Sequence, residues 1–386
     1  MDLILFVHIL ATLFSFFVAG ALIGALFSAS WRARLERAYR KSLELLRASE
    51  NPLIRPGTHP WTAEAVLNPA AIALGGRTHL IYRAVGMDGA SRLGYASSAD
   101  GIVFDRRLPA PVYVAQSARG GRAAGPPEVR AYSPVLYPSG GSWGGCEDPR
   151  MLVLAGRVYV TFNMFDNWKL RVAVISMSEE DFLAGRFYKW EGPVVLSHGD
   201  RDKNWVLFPE KINGKFAVLH SLFGETSDRV RVEYTDDLAT LVEREFASPD
   251  PQQMPDEQIA WHYRMRSAGP PPLKTAHGWL VLYHAMDPKE PSRYKLGAML
   301  LNRADPTKVL RRSSAPILSP DEHYENHGKP GVVYACGAVV RDGTLYVYYG
   351  GADKVVCVAS TPLDAFLRAL VEGSQTSLTT VPAQTA

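Results

Sequence analysis

The chain has little of what most common enzyme chemistries require. Three cysteines, Cys146, Cys336 and Cys357, occur in 386 residues without C-x-x-C spacing. Lying in or beside apolar runs, they read as reduced core residues, not as disulfides or metal ligands, which suits a reducing compartment. No G-x-x-x-x-G-K-[ST] loop, H-E-x-x-H pair or G-x-S-x-G elbow is present. Nucleotide hydrolysis, zinc proteolysis and serine esterase chemistry lose support accordingly. Charge of one sign is scarce too. The formal net charge is +3, and without a basic stripe interleaved with aromatics nucleic acid is not an expected partner. Carboxylates are few and separated by apolar runs, so neither a metal nor an organic cofactor is expected.

What the chain does have is a phrase written five times. A polar cluster beside Pro or Gly leads into an apolar run, a tight glycine turn and a second apolar run. The copies run from Asn68-Pro69 to Arg83, from Glu147-Asp148-Pro149-Arg150 to Asn163, from Phe208-Pro209-Glu210-Lys211 to His220, from Pro271-Pro272-Leu273-Lys274 to His284, and from Cys336-Gly337 to Asp353. The turn glycines are Gly76, Gly156, Gly214, Gly278 and Gly343. Each phrase reads as one hairpin of a repeated sheet, so the expected fold is an all-β, five-bladed β-propeller with its site at the central funnel. The expected domain spans residues 51–372, followed by a disordered tail over 373–386.

Ahead of it, Leu3 to Phe27 contains no Asp, Glu, Lys or Arg, whereas Arg32, Arg34, Arg37, Arg40, Lys41 and Arg47 follow. That pattern predicts a transmembrane anchor over 1–30 with the propeller on the cytoplasmic side; cleavage after Ser28-Ala29-Ser30 is the lesser alternative. Trp31, Leu35, Tyr39, Leu43 and Leu46 recur at helical spacing, which predicts an amphipathic stalk helix over 31–50. Thr361 to Val371 reads as a capped helix.

Charge at the inner end of the second repeat is expensive without a purpose. Glu147, Asp148 and Arg150 there suggest either a self-paired turn or a general acid tuned by its neighbours. Asn68 and Arg83 in the first repeat, Lys203, Glu210, Lys211 and His220 in the third, Lys274 and His284 in the fourth, and Asp353 in the fifth would share one polar, sugar-sized cavity. Trp61, Trp143, Trp205 and Trp261 could stack on a sugar face or pack between blades.

These motifs, with Tyr82-Arg83, Gly278-Trp279-Leu280, Tyr283-His284, Tyr294-Lys295-Leu296-Gly297-Ala298 and Tyr348-Tyr349-Gly350-Gly351-Ala352-Asp353, occur in an order that resembles glycoside hydrolase family 130. Members of that family are five-bladed propellers that phosphorolyse or hydrolyse β-mannosides. The resemblance implies Asp148 as the catalytic acid. It also implies Asn68, Arg83 and Asp353 as holders of the mannosyl unit, with Glu147 and Arg150 beside them. Lys203, Arg264, Lys274 and His284 are the candidate ligands of inorganic phosphate, the co-substrate. The family's phosphorylases invert configuration: the Asp protonates the glycosidic oxygen through a sugar hydroxyl while phosphate attacks the anomeric carbon, giving α-mannose 1-phosphate. Many of them carry Arg after the His of the third repeat, where this chain reads His220-Ser221. A hydrolase would instead need a carboxylate base. Strict strand alternation would turn Glu147 to the opposite face from Asp148 and leave Glu210 for that role. A carbohydrate-binding propeller without catalysis is the third alternative.

Overall fold

The computed structural model describes residues 43–115, 131–133, 137, 140–197, 199, 201–220, 230–241, 261–262, 264–287 and 289–373. Within residues 44–386 these form an all-β, propeller-like fold of antiparallel meanders. A short first strand, β1 (Leu46–Arg47), precedes them. The first meander contains β2 (Ala65–Leu74), β3 (Arg77–Val85) and β4 (Ala90–Ser98), with β5 (Arg106–Arg107) on its edge. The second contains β6 (Gly144–Leu154), β7 (Arg157–Phe165), β8 (Leu170–Ser178), helix α1 (Glu179–Leu183) and β9 (Glu191–Val195). The third is small: β10 (Val206–Leu207), β11 (Phe216–Leu219) and β12 (Val232–Thr235). The fourth contains β13 (Arg264–Ala268), β14 (Leu273–Thr275), β15 (Gly278–Asp287), β16 (Glu290–Leu301) and β17 (Val309–Arg312). β18 (Val333–Arg341), β19 (Thr344–Gly351) and β20 (Val355–Pro362) complete the series, and helix α2 (Leu363–Gly373) follows where the capped pattern predicts one.

The turn glycines of the repeat do what the sequence asks of them. Gly76, Gly156, Gly214, Gly278 and Gly343 all have positive φ, the conformation that a side chain opposes and glycine adopts freely. Each therefore closes a hairpin in which the apolar runs become paired strands.

The apolar faces are shared between consecutive meanders. Ile72 and Ile81 of the first pack with Met151 and Phe162 of the second. Leu152 and Val174 meet Leu207 and Val218 of the third, which in turn gives Val206 and Leu219 to Trp279 and Met299 of the fourth. Tyr294 of the fourth adjoins Val332 and Tyr334 at the start of the last meander, and Tyr348 and Val358 of that meander pack on Val66 and Leu80 of the first. β4 and β6 touch in parallel at Ala90 with Gly144 and Ser91 with Gly145, so the first two meanders count as one sheet.

β1 crosses to the far end of the chain and pairs with β20, Leu46 opposite Ser360 and Arg47 opposite Ala359. Arg47 then reaches Glu325 through Nε at 2.8 Å and Nη2 at 2.9 Å. Residues expected to end a stalk helix thus form an edge strand, because the open ladder of β20 and the buried Glu325 carboxylate offer partners that helical periodicity cannot reveal. Membrane anchoring is likewise corrected: among the described residues no helix is long and apolar enough to cross a membrane. Residues 3–27, on which that expectation rested, lie outside the described residues, as do the other residues before 43 and those of the tail after 373.

Candidate active site

The site is made by a defect repeated in the inner strands. In β2 the register slips between Leu67 and Ala70, and in β6 between Glu147 and Arg150. The dipeptides thrown out of the ladder are Asn68-Pro69 and Asp148-Pro149. Proline has no N–H to give the ladder, so it favours a bulge there. Asn and Asp tolerate the left-handed conformation that the bulge demands better than other side chains do; φ is 48° at Asn68 and 49° at Asp148. Related slips fall between Met265 and Ser267 in β13 and between Ala335 and Gly337 in β18.

The bulges bring distant residues into contact. Asn68 Nδ2 donates to Asp148 Oδ1 at 2.7 Å, and Arg83 Nη1 donates to the same oxygen at 3.2 Å. Arg83 Nη2 donates to Glu147 Oε1 at 2.9 Å and to Ser142 Oγ at 2.9 Å, while Nε donates to Ser91 Oγ at 2.9 Å. Glu147 and Asp148 therefore lie on one guanidinium instead of on opposite faces: strand alternation fails because the bulge starts between them. Arg150 Nη1 donates to the backbone carbonyl of Asp148 at 2.7 Å, pinning the left-handed residue from behind. Asp353, also left-handed at φ 51°, accepts at Oδ2 from Lys329 Nζ at 3.2 Å, and its backbone carbonyl accepts from Tyr132 at 3.3 Å.

Burial and charge pull in opposite directions at this site. Burial alone would raise the Asp148 carboxyl, yet Arg83, Arg150, Asn68 and Lys203 together hold it below the usual carboxylate range. Burial disfavours the charge on Arg83, but Glu147 and Asp148 hold it raised and protonated. Asp148 in the unliganded protein is thus an ionised carboxylate in a cationic frame.

Gly350 belongs to this frame. A Cβ there would stand 2.1 Å from Asn68 Oδ1 and 2.9 Å from Asn68 N, so Gly350→Ala must push Asn68 away from Asp148. The expected result is at least about a tenfold rise in KM for the sugar substrate, the cost of one buried hydrogen bond; an unchanged KM would contradict this placement.

Of the residues singled out from the sequence, Asn68, Arg83, Glu147, Asp148, Arg150 and Asp353 share one site, with Lys203 in its field. Glu210 and Lys274 do not join them. They form an exposed ion pair, and Lys274 faces Trp279 beside the hairpin turn at Gly278. Asp148 lies seven residues before its own turn at Ala155-Gly156, roughly 20 Å along a strand. The phrase Phe208-Pro209-Glu210-Lys211 is therefore out of step with Asn68-Pro69. Asn204, left-handed at φ 64° and bonded both ways to Asn163, is the counterpart in the third meander, and its nine-residue spacing from Asn213-Gly214 is the signal that marks it.

His284 is fully buried: Nε2 accepts the Ala335 N–H at 2.8 Å, and Nδ1 lies 2.8 Å from Ser267 Oγ. Burial, with Arg150 adding to it, lowers its pKa to about 3, so it is a neutral strut and not a cation offered to phosphate. Arg264 opens β13, its side chain outside the described residues, as is Ser221. The tryptophans pack. Trp205 stacks on His220 at 3.8 Å and Trp261 on Tyr283 at 6.0 Å, while Trp61 and Trp143 donate to Pro109 and Asp88 carbonyls. All three cysteines are free and buried, and burial raises Cys146 and Cys336 to about 12. Lys329, Ser91, Ser142 and Tyr132 are site residues that sequence reasoning missed; only Lys329, a cation in a Gly-Lys-Pro-Gly turn, carried a visible signal.

Comparison with known proteins shows what the chain is similar to. The family model described as beta-1,4-mannooligosaccharide phosphorylase, of glycoside hydrolase family 130, matches residues 133–372. The chain is 35% identical over 332 residues to the 1,2-beta-oligomannan phosphorylase of Thermoanaerobacter sp. (strain X514), covering 82% of this chain and 97% of that protein. It is 32% identical over 331 residues to the beta-1,2-mannobiose phosphorylase of the same organism, covering 82% and 96%. Among solved structures, the beta-1,2-mannobiose phosphorylase of Listeria innocua in complex with beta-1,2-mannobiose superposes with a TM-score of 0.63 at 23% identity, over 84% of this chain and 99% of that one. That likeness speaks for the fold.

Proposed function

This chain belongs to glycoside hydrolase family 130, and from that premise we propose that it is an inverting β-mannoside phosphorylase acting on short β-1,2-mannosides. The observation that carries the reading is the Asp148 carboxylate, thrown inward by its bulge and held by Asn68 and Arg83. The β-1,2 linkage is supported by the printed activities of the two relatives whose whole length the chain nearly spans; the β-1,4 linkage in the family description is the alternative. The meanders are taken as five blades around one axis, supported by the apolar clusters that join each meander to the next and the last to the first.

In this mechanism Asn68, Arg83 and Asp353 orient the mannosyl unit, and Asp148 delivers a proton to the departing glycosidic oxygen. Phosphate attacks the anomeric carbon from the other face and leaves α-mannose 1-phosphate. Arg150, Lys203 and Lys329 supply the positive charge against which the anion is desolvated. Hydrolysis would need a second carboxylate placed to activate water. Glu147 is engaged by Arg83 and Glu210 by Lys274, which favours phosphorolysis. The test is the initial rate of β-1,2-mannobiose consumption against phosphate concentration: saturable dependence is expected, and a rate indifferent to phosphate rejects the reading.

A pH dependence follows from the ionised Asp148. As an acid it must hold a proton, and the cationic frame of the free protein opposes this. A bound phosphate anion offsets that frame and raises the carboxyl. The alkaline limb of kcat, which reports the complex, should therefore lie at higher pH than the limb of kcat/KM for phosphate, which reports the free enzyme. Coincident limbs would contradict a proton donor tuned in this way.

A further inference from the structure

Behind Arg150 lies a chain of hydrogen bonds that the mechanism above does not use. Ala335 N–H donates to His284 Nε2 at 2.8 Å. This fixes the tautomer: the imidazole is neutral, so its hydrogen sits on Nδ1 and is donated to Ser267 Oγ at 2.8 Å. Ser267 Oγ lies 3.0 Å from Tyr334 Oη, and Arg150 Nη2 donates to the same Oη at 3.3 Å. The ring of Tyr334 is held flat on His284, 4.0 Å between centroids and 3° between planes, with the Arg150 guanidinium 5.9 Å from its centroid. The geometry is rigid and almost dry.

Counting hydrogens gives a surplus. The two hydroxyls carry two hydrogens, and a single bond between them uses one. The imidazole and the guanidinium both donate into the pair, so neither can accept the other. Among the described residues nothing else takes it. Ser267 is 1% exposed and Tyr334 9%, so the surplus hydrogen is assigned to the less enclosed residue. Ser267 then donates to Tyr334, and the Tyr334 O–H is the donor left over, its oxygen bonded by the same Arg150 guanidinium that holds the Asp148 carbonyl. The phenol keeps its proton, because burial, with Asp148 adding to it and Arg150 opposing, raises its pKa. Two donors into one oxygen polarise it and strengthen its own donation.

We propose that Tyr334 is a further ligand-binding residue of this site, its hydroxyl donating to an oxygen of the mannoside or phosphate bound against Asp148, with Ser267 and His284 as the positioning residues that aim it. The inference rests on the phosphorylase reading for the identity of the ligand and on hydrogen-bond accounting for the donor. The sequence marks His284 as an anion ligand, but with both nitrogens bonded it supports the tyrosine instead.

Steady-state kinetics of Tyr334→Phe in the full chain test it. At least about a tenfold loss in kcat/KM is expected, carried by the KM of whichever co-substrate accepts the bond: mannobiose for a sugar oxygen, phosphate for an anion oxygen. Ser267→Ala, which keeps the phenol, should lose less. A folded Tyr334→Phe protein with wild-type constants, or an equal loss in both variants, overturns the inference. Should Tyr334→Phe fail to fold, 3-fluorotyrosine at 334 preserves the packing. Its fluorine resonance should shift on saturation with phosphate or β-1,2-mannobiose, and no shift with either is a refutation. Wild-type protein lacking phosphate-dependent turnover would defeat the functional reading alone, since the fluorine titration with mannobiose still decides the role of Tyr334.

Discussion

Asp148→Asn is expected to lower kcat by about 10²- to 10⁴-fold, the usual worth of a positioned general acid, while calorimetry still detects mannobiose binding. The asymmetry follows from the contacts. An Asn side chain has the same size and can present its carbonyl oxygen to Asn68 Nδ2 and Arg83 Nη1, which reach Asp148 Oδ1 at 2.7 and 3.2 Å. The bulge that places residue 148 depends on backbone and proline, not on the carboxylate. What is lost is the transferable proton. A propeller that only binds carbohydrate would show no turnover before or after the change, so wild-type turnover abolished by this one substitution separates an enzyme from a lectin-like protein. Turnover within a few-fold of wild type would remove Asp148 from the chemistry.

Arg83→Ala is expected to be the most damaging substitution for stability. Its guanidinium is 1% exposed and serves Glu147, Asp148, Ser91, Ser142 and the Gly140 carbonyl. Removing it leaves Glu147, fully buried, beside Asp148 without their shared cation. Breaking a buried pair this way costs about 3–5 kcal/mol, to be read from urea denaturation. Arg83→Lys should recover little of this, because one ammonium with three donors cannot reproduce a planar fork across two carboxylates and two hydroxyls. The sign of the pH effect is set by Asp148. Its carboxyl is held below the usual range, so it stabilises the fold above the ordinary carboxylate pKa and that contribution is lost as pH falls. Arg83→Ala should therefore flatten the acid-side loss of stability. A variant as stable as wild type, with an unchanged acid limb, would show that the pairing contributes nothing.

The parts of the site legible in the sequence were those marked by backbone chemistry. Asn68-Pro69 and Asp148-Pro149 place a proline where a strand should run, and that conflict is what produces the bulge. The turn glycines locate the hairpins for the same reason. Where the signal was only composition, it misled. Phe208-Pro209-Glu210-Lys211 has the right residue types but sits too near its turn, so Glu210 of the third meander pairs with Lys274 of the fourth beside the hairpin turns. His284 read as a cation because nothing in a sequence tells how deeply an imidazole is buried or that both its nitrogens are taken. Glu147 and Asp148 looked like neighbours on opposite faces because alternation holds only while the register does. The strand at Leu46-Arg47 was hidden by a helical period, since its partner β20 lies some three hundred residues away.

The account is tested most directly by the anomeric configuration of the first product. Phosphorus and proton NMR of β-1,2-mannobiose turning over in phosphate should show α-mannose 1-phosphate and mannose appearing together. Free mannose without a sugar phosphate, or mannose 1-phosphate in the β configuration, would contradict an inverting phosphorylase built on Asp148.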